Sequence, residues 1–86
     1  MTYSISYDKQ PIRFLKQQDK HIRERIVNKI ENTLKENPVP HNARSIVGQH
    51  NCFRIRIGDY RVLYRVDFSK RNIVVFKIDK RPRSYD

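Results

Sequence analysis

Three hydrophobic spacings follow one another along the chain. Tyr3, Ile5 and Tyr7 alternate with Thr2, Ser4 and Ser6, the period of a strand with one buried face. Ile12, Phe14 and Leu15 then supply the apolar side of a short helix, with Asp8 as its cap and Pro11 in the first turn, where a missing N–H costs little. After a break at Gln18-Asp19 the spacing widens: Ile22, Ile26, Ile30 and Leu34 recur at every fourth residue with Val27 beside them. This predicts an amphipathic second helix of about four turns, capped by Asp19 and ended by Asn37-Pro38.

The second half reads as strands. Residues 39–50 are polar, with Pro40 and Gly48, and predict a loop holding a short strand around Ala43 to Val47. Alternation returns in CFRIRIGDYRVLYRV, Cys52 to Val66, where Gly58-Asp59 is the two-residue turn of a hairpin. That turn pairs Ile57 with Tyr60, Arg56 with Arg61, Ile55 with Val62 and Arg54 with Leu63. Phe53, Ile55, Ile57, Tyr60, Val62, Tyr64 and Val66 then share one face, and Arg54, Arg56, Arg61, Leu63 and Arg65 the other. Phe68 to Asn72 makes a turn, and Asn72 to Asp79 the last strand, with Val74, Phe76 and Ile78 expected on one side and Ile73, Val75 and Lys77 on the other. The expected fold class is α+β, in the order β-α-α-β-β-β(-β). A helical hairpin packs on the apolar side of a small, mainly antiparallel twisted sheet, in a single domain spanning 1–86.

Charge changes this picture more than composition does. The chain carries 19 Lys and Arg against 9 Asp and Glu, a net charge of +10 with a pI near 10.2, which points to a polyanionic partner. Between Arg54 and Arg83 the net charge is already +7. Arg56 faces Arg61 across the hairpin, and like charges directly opposite oppose strand pairing, so stability alone does not select this pair. Arginines merely solvated and screened by salt are the alternative reading. The segment KRPRSYD, Lys80 to Asp86, adds cations and an aromatic ring, a grip for single-stranded nucleic acid or else a frayed basic terminus.

Other chemistry is sparse. Cys52 stands alone, so neither a disulfide framework nor a metal pair is expected. There is no nucleotide-binding glycine loop and no paired carboxylate, and His21, His41 and His50 read as surface residues. No cofactor and no metal are expected. No stretch has the length of a signal peptide core or a membrane span, and the charge lies on strands rather than on an amphipathic helix, so a cytoplasmic protein without a membrane partner is expected.

The phrases FRIRIGDYRVLYRVD and IVVFKIDKRPRSYD, with a helical hairpin after a first strand, resemble RelE toxins of the RelE/ParE toxin-antitoxin superfamily. The most specific part is R-x-G-D-Y-R-V-x-Y, Arg56 to Tyr64, and the likeness covers nearly the whole chain. It implies a ribosome-dependent endoribonuclease that cuts messenger RNA in the ribosomal A site, silenced by a cognate RelB-like antitoxin. Carried over residue by residue, it implies backbone-binding basic residues at Arg54 and Arg56, a catalytic Arg61, a late arginine at Arg81 or Arg83, with Arg83 favoured, and a terminal Tyr85. Arg65 and Lys80 join the RNA-binding set. Arg61 and Arg83 are expected to stabilise the charged phosphorane and Tyr85 to stack on or orient a base, with phosphate relieving the Arg56–Arg61 repulsion on binding. Some relatives carry lysine at positions 54 and 56, and others a Glu/His pair that is missing here, so the general base stays open between Tyr85, Lys80 and catalysis largely by geometry and electrostatics with help from the ribosome. The alternatives are a ParE-like inhibitor of DNA gyrase and a noncatalytic or degenerate RNA-binding homologue.

Overall fold

The computed structural model describes residues 2–80. In chain order the elements are β1 (Ser4–Tyr7), α1 (Lys9–Lys16), α2 (Lys20–Leu34), β2 (Arg44–Ser45), β3 (Cys52–Ile57), β4 (Tyr60–Asp67) and β5 (Asn72–Lys80). The strands form one sheet in the order β1-β5-β4-β3-β2. β1 runs parallel to β5, and the other neighbours are antiparallel. This is the expected α+β arrangement, with the first strand lying beside the last.

The hairpin forms in the register its turn predicts, from Cys52 opposite Arg65 to Ile57 opposite Tyr60. Gly58 has φ 59° and Asp59 is not in the left-handed region, the pattern of a type II′ turn whose twist suits the flanking strands. At the other end of β4, Asp67 Oδ1 accepts from the Lys70 amide at 3.0 Å and the Ser69 hydroxyl at 2.7 Å. That Lys70 amide, then the Ser69 hydroxyl, hold the Asp67 carboxyl below its ordinary pKa.

β5 departs from the alternation expected of it. Its pairing with β4 slips between Leu63, opposite Lys77, and Tyr64, opposite Val75, so Phe76 is the extra residue of a β-bulge. Ile73 and Val75 therefore join Ile78 in the core, all at 0% exposure, while Val74, Phe76 and Lys77 lie on the other side. A single alternation along the strand puts Ile73 and Val75 opposite Ile78; the bulge reverses the parity once, between them.

The helices differ from expectation in detail. Pro11 and Leu15 are the buried residues of α1, and Phe14 packs edge-to-face on Tyr60 at 5.8 Å, whereas Ile12 is 43% exposed. Asp8 and Asp19 occupy the cap positions, but neither side chain bonds the helix amides. Ile26, Ile30 and Leu34 of α2 are buried as their spacing predicts. α1 lies against β5 and α2 against β3. Tyr64 is the largest wholly buried side chain, and its hydroxyl donates to the Pro38 carbonyl at 2.7 Å, tying the end of the α2 connection to the sheet.

Gln10 pins α1 to the sheet. Its side-chain amide donates to the Ile78 carbonyl and accepts from the Ile78 amide, both at 2.8 Å. β1 pairs with β5 only as far as Val75, whose carbonyl accepts from the Asp8 amide, so Gln10 takes over the backbone groups of β5 where β1 ends.

Two tyrosines predict opposite responses. Tyr64→Phe loses the bond to Pro38 and is expected to cost about 1 kcal/mol. The Tyr7 hydroxyl is buried without a partner among the described residues, so Tyr7→Phe is expected to be neutral or to stabilise by up to about 1 kcal/mol. Burial and then the nearby Glu31 raise the Tyr7 pKa to about 12, and burial raises that of Tyr64 further. Both phenols favour the fold in their neutral form. No ionisation penalty is felt below the unfolded value near 10, and wild type loses stability relative to each Phe variant as pH rises from there toward the folded values. Urea melts of both variants between neutral pH and pH 11 check these signs.

Candidate nucleic-acid interface

The helices cover one side of the sheet, and alternation sends the arginines to the other. Strand pairing sets the open side in rows. One row runs Arg44, Arg54, Leu63, Lys77 across β2, β3, β4 and β5. The next runs Arg56, Arg61, Asp79, and on the far side of the first lies Cys52, Arg65, Val74. Residues within a row stand about 4.8 Å apart and adjacent rows about 7 Å apart, so the backbone sets these arginines close together on one side of the sheet. Arg54 and Arg56 are exposed and make no ion pair with the carboxylates of the described residues.

Arg61 is held differently. Its Nε donates to Asp79 Oδ1 at 3.0 Å and its Nη2 to Asp79 Oδ2 at 3.1 Å, a bidentate pair. Lys77 Nζ lies 3.9 Å from the same Oδ2. The side chains of Arg61 and Asp79 are 43% and 29% exposed, so solvent screens the pair and its net worth is at most about 1 kcal/mol. Its effect on geometry is larger. Asp79 stands on one side of Arg61 and Arg56 on the other, so the like-charge repulsion expected to await a phosphate is already offset by a carboxylate within the fold.

The remaining expected site residues are placed as follows. Arg65 shares the open side but lies about 13 Å along β4 from Arg61. It lines a shallow depression of about 620 Å³ with His50, Phe68 and Lys70. Lys80 is exposed, but its pairing with Tyr60 places it on the helix side of β5, away from the arginine rows. Arg81, Arg83 and Tyr85 lie outside the described residues. Arg44 and Asp79 belong to the open side and were not anticipated as site residues. Arg44 sits in the short predicted strand; pairing puts its backbone beside Arg54, while its Nη1 donates to the Ala43 carbonyl at 3.3 Å and the His41 carbonyl at 3.5 Å. Asp79 meets Arg61 only once the bulge sets the register. Among the described residues no three His, Cys, Asp or Glu side chains are grouped as a metal ion would need, and no helix is long and apolar enough to cross a membrane. Cys52 is buried and unpaired.

The sequence profile of the ParE toxin of type II toxin-antitoxin systems, parDE, matches residues 5–85. The chain is 38% identical over 56 residues to a RelE1 toxin homologue of Methanocaldococcus jannaschii, a match that spans 62% of each chain and so less than two thirds of that relative. In the crystal structure of the archaeal RelE–RelB complex from Pyrococcus horikoshii, one chain superposes with a TM-score of 0.78 at 30% identity, covering 96% of this chain and 99% of that one. The intact RelBE toxin-antitoxin complex of E. coli contains a chain that superposes at 0.73 with 24% identity, covering 94% and 99%, a likeness of fold.

An open face of this kind predicts salt-dependent binding to single-stranded RNA. Replacing Arg54 and Arg56 together by Ala is expected to weaken binding of an RNA oligonucleotide and to flatten the slope of log K against log salt by about 0.7 for each phosphate no longer neutralised. Both side chains are exposed, so the melting temperature is expected to stay put. Lys20→Ala, an exposed cation at the start of α2, is the control and should leave the slope unchanged.

Proposed function

The chain belongs to the ParE toxin family of type II toxin-antitoxin systems and shares its fold with RelE toxins, and from this premise we propose that it is a ribosome-dependent endoribonuclease that cuts messenger RNA in the ribosomal A site. The observation that carries the reading is the open face itself: Arg44, Arg54, Arg56 and Arg61 are fixed by strand pairing within two adjacent rows, with Arg61 held by a carboxylate. Guanidinium groups match phosphate oxygens and stay charged at any physiological pH.

The proposed chemistry is attack of a ribose 2′-oxygen on the adjacent phosphorus. A P–O bond forms, the bond to the 5′-oxygen breaks, and the products are a 2′,3′-cyclic phosphate and a 5′-hydroxyl. One proton leaves the 2′-hydroxyl and one reaches the departing 5′-oxygen. Negative charge grows on the equatorial oxygens, where Arg61 and the late arginine, Arg83 or else Arg81, stabilise it. Arg54 and Arg56 hold the RNA backbone on either side, Arg65 extends that grip along β4, and Tyr85 stacks on or orients a base, while Lys80, on the helix side of β5, falls outside this face. Arginine does not give up its proton and Lys80 lies on the helix side of the sheet, so the proton transfers fall to Tyr85, or catalysis rests largely on geometry and electrostatics with help from the ribosome. The roles of Arg81, Arg83 and Tyr85 rest on the family resemblance of the sequence. No step in this scheme calls on a metal ion, and the activity is proposed to be metal-independent.

The proposed partners are the ribosome, messenger RNA and a RelB-like antitoxin that covers the basic face with acidic residues, all in the cytoplasm. A second reading, inhibition of DNA gyrase, is kept because the matching family carries the ParE description.

Primer extension on messenger RNA engaged by translating ribosomes separates the two. The expected outcome is cutting at A-site codons that requires ribosomes, survives a chelator that removes transition metals but leaves the ribosome its magnesium, and falls by about a hundredfold or more in Arg61→Ala or Arg83→Ala. A folded protein that cuts nothing here, and that blocks supercoiling by purified gyrase, overturns the nuclease reading in favour of the second.

A further inference from the structure

We propose that Asp79 is a positioning residue for Arg61, setting the direction from which that guanidinium meets the scissile phosphate; this rests on the nuclease reading for its consequence and on the fold for its geometry. A long arginine side chain on an open sheet face has many rotamers of similar energy, and ordering it at the moment of reaction costs free energy. The bidentate pairing with Asp79, at 3.0 and 3.1 Å, removes that freedom before RNA arrives, because both the Nε and one Nη are held by a single carboxylate on the neighbouring strand.

The carboxylate is itself anchored. Asp79 follows Ile78, whose backbone amide and carbonyl are both bonded by the Gln10 side chain at 2.8 Å, and the Ile78 side chain is wholly buried. The chain of support runs from α1 through Gln10 to the backbone of β5, then through Asp79 to Arg61, and each link has defined geometry. A carboxylate in the middle of a phosphate-binding surface otherwise works against its ligand by repulsion, and among the described residues Asp79 is the one acid in the rows that hold Arg54, Arg56 and Arg61. The arrangement trades some attraction for RNA against a fixed direction for Arg61. Asp79 touches no substrate in this scheme and acts through Arg61.

Two other accounts predict different behaviour. If Asp79 only offsets the repulsion between Arg56 and Arg61, removing it raises RNA affinity and leaves cutting unchanged or faster. If it only stabilises the fold, its removal lowers the melting temperature without changing the turnover of the folded fraction. Positioning predicts a split: a lower maximal rate with unchanged or tighter binding.

The test uses the full chain as wild type, Asp79→Ala and the isosteric Asp79→Asn, each checked for folding by its melt. First, ¹⁵N relaxation of the arginine Nε–Hε groups is expected to show Arg61 ordered in the wild type and averaged in Asp79→Ala, with an order parameter falling below about 0.6, while Arg54 and Arg56 are unchanged. Second, cutting on programmed ribosomes is expected to slow by about ten- to a hundredfold in Asp79→Ala at saturation with no loss of binding. In an Arg61→Ala background the Asp79 change is expected to have no further effect, because the two residues act as one unit. Asp79→Asn keeps one acceptor and is expected to fall between. Equal order of Arg61 in wild type and Asp79→Ala overturns the positioning role, and so does cutting that is unchanged or faster, or a further loss in the Arg61→Ala background. Should the wild type cut nothing, the nuclease reading fails by itself, and the relaxation result alone decides whether Asp79 positions Arg61.

Discussion

β5 is bonded to β4 along nearly its whole length on one side, and on the other first to β1 and then to the amide of Gln10, so its register constrains everything around it. Ile73, Val75 and Ile78 reach the core only because Phe76 is accommodated as an extra residue. The same slip brings Asp79 opposite Arg61 and Lys77 opposite Leu63. Bulges turn a strand and re-aim side chains where a flat ladder cannot. Here the turn serves the hydrophobic side and the charged side together: burial of three aliphatic residues enforces the register, and that register delivers a carboxylate to an arginine.

The two sides of the sheet are governed by different physics. The helix side is closed by Ile26, Ile30 and Leu34 of α2, by Leu15 and Pro11 of α1, and by Tyr64 with its bond to Pro38. The open side carries arginines that repel one another across strands and contribute little to holding the domain together. The apolar side must therefore stabilise a sheet whose other face is arranged for a polyanion. Such local conflicts between stability and surface chemistry are what a binding face leaves in a sequence.

Much of this was legible in the sequence, for reasons that differ by element. The β3–β4 hairpin was readable to the residue because a glycine-containing two-residue turn fixes register and the flanking alternation has no competitor. α2 was readable because its fourfold spacing matches a single buried stripe. Ile12 misled because it is apolar in sequence, while its position on α1 faces water and Pro11 takes its place inside. The faces of β5 were unreadable in part because IVVF offers apolar residues at every position, so no pattern announces the bulge. Arg54, Arg56, Arg61 and Arg65 could be assigned to one face from alternation alone. Asp79, Gln10 and Arg44 could not, since each gains its meaning from a partner distant in sequence or from a strand of two residues.

The bond between Gln10 and Ile78 spans 68 positions, and β1 finds its pairing partner only in residues 72–75. Pairings of such separation make folding wait on chain entropy, and during synthesis they make it wait on the ribosome as well. β1 has no sheet edge to join until β5 is in place beside it. The β4–β5 ladder, and with it the Arg61–Asp79 pair, forms only at that point. The β3–β4 hairpin, whose strands are adjacent in sequence, can thus array Arg54, Arg56 and Arg61 before the carboxylate that holds Arg61 is in place, an order set by topology alone.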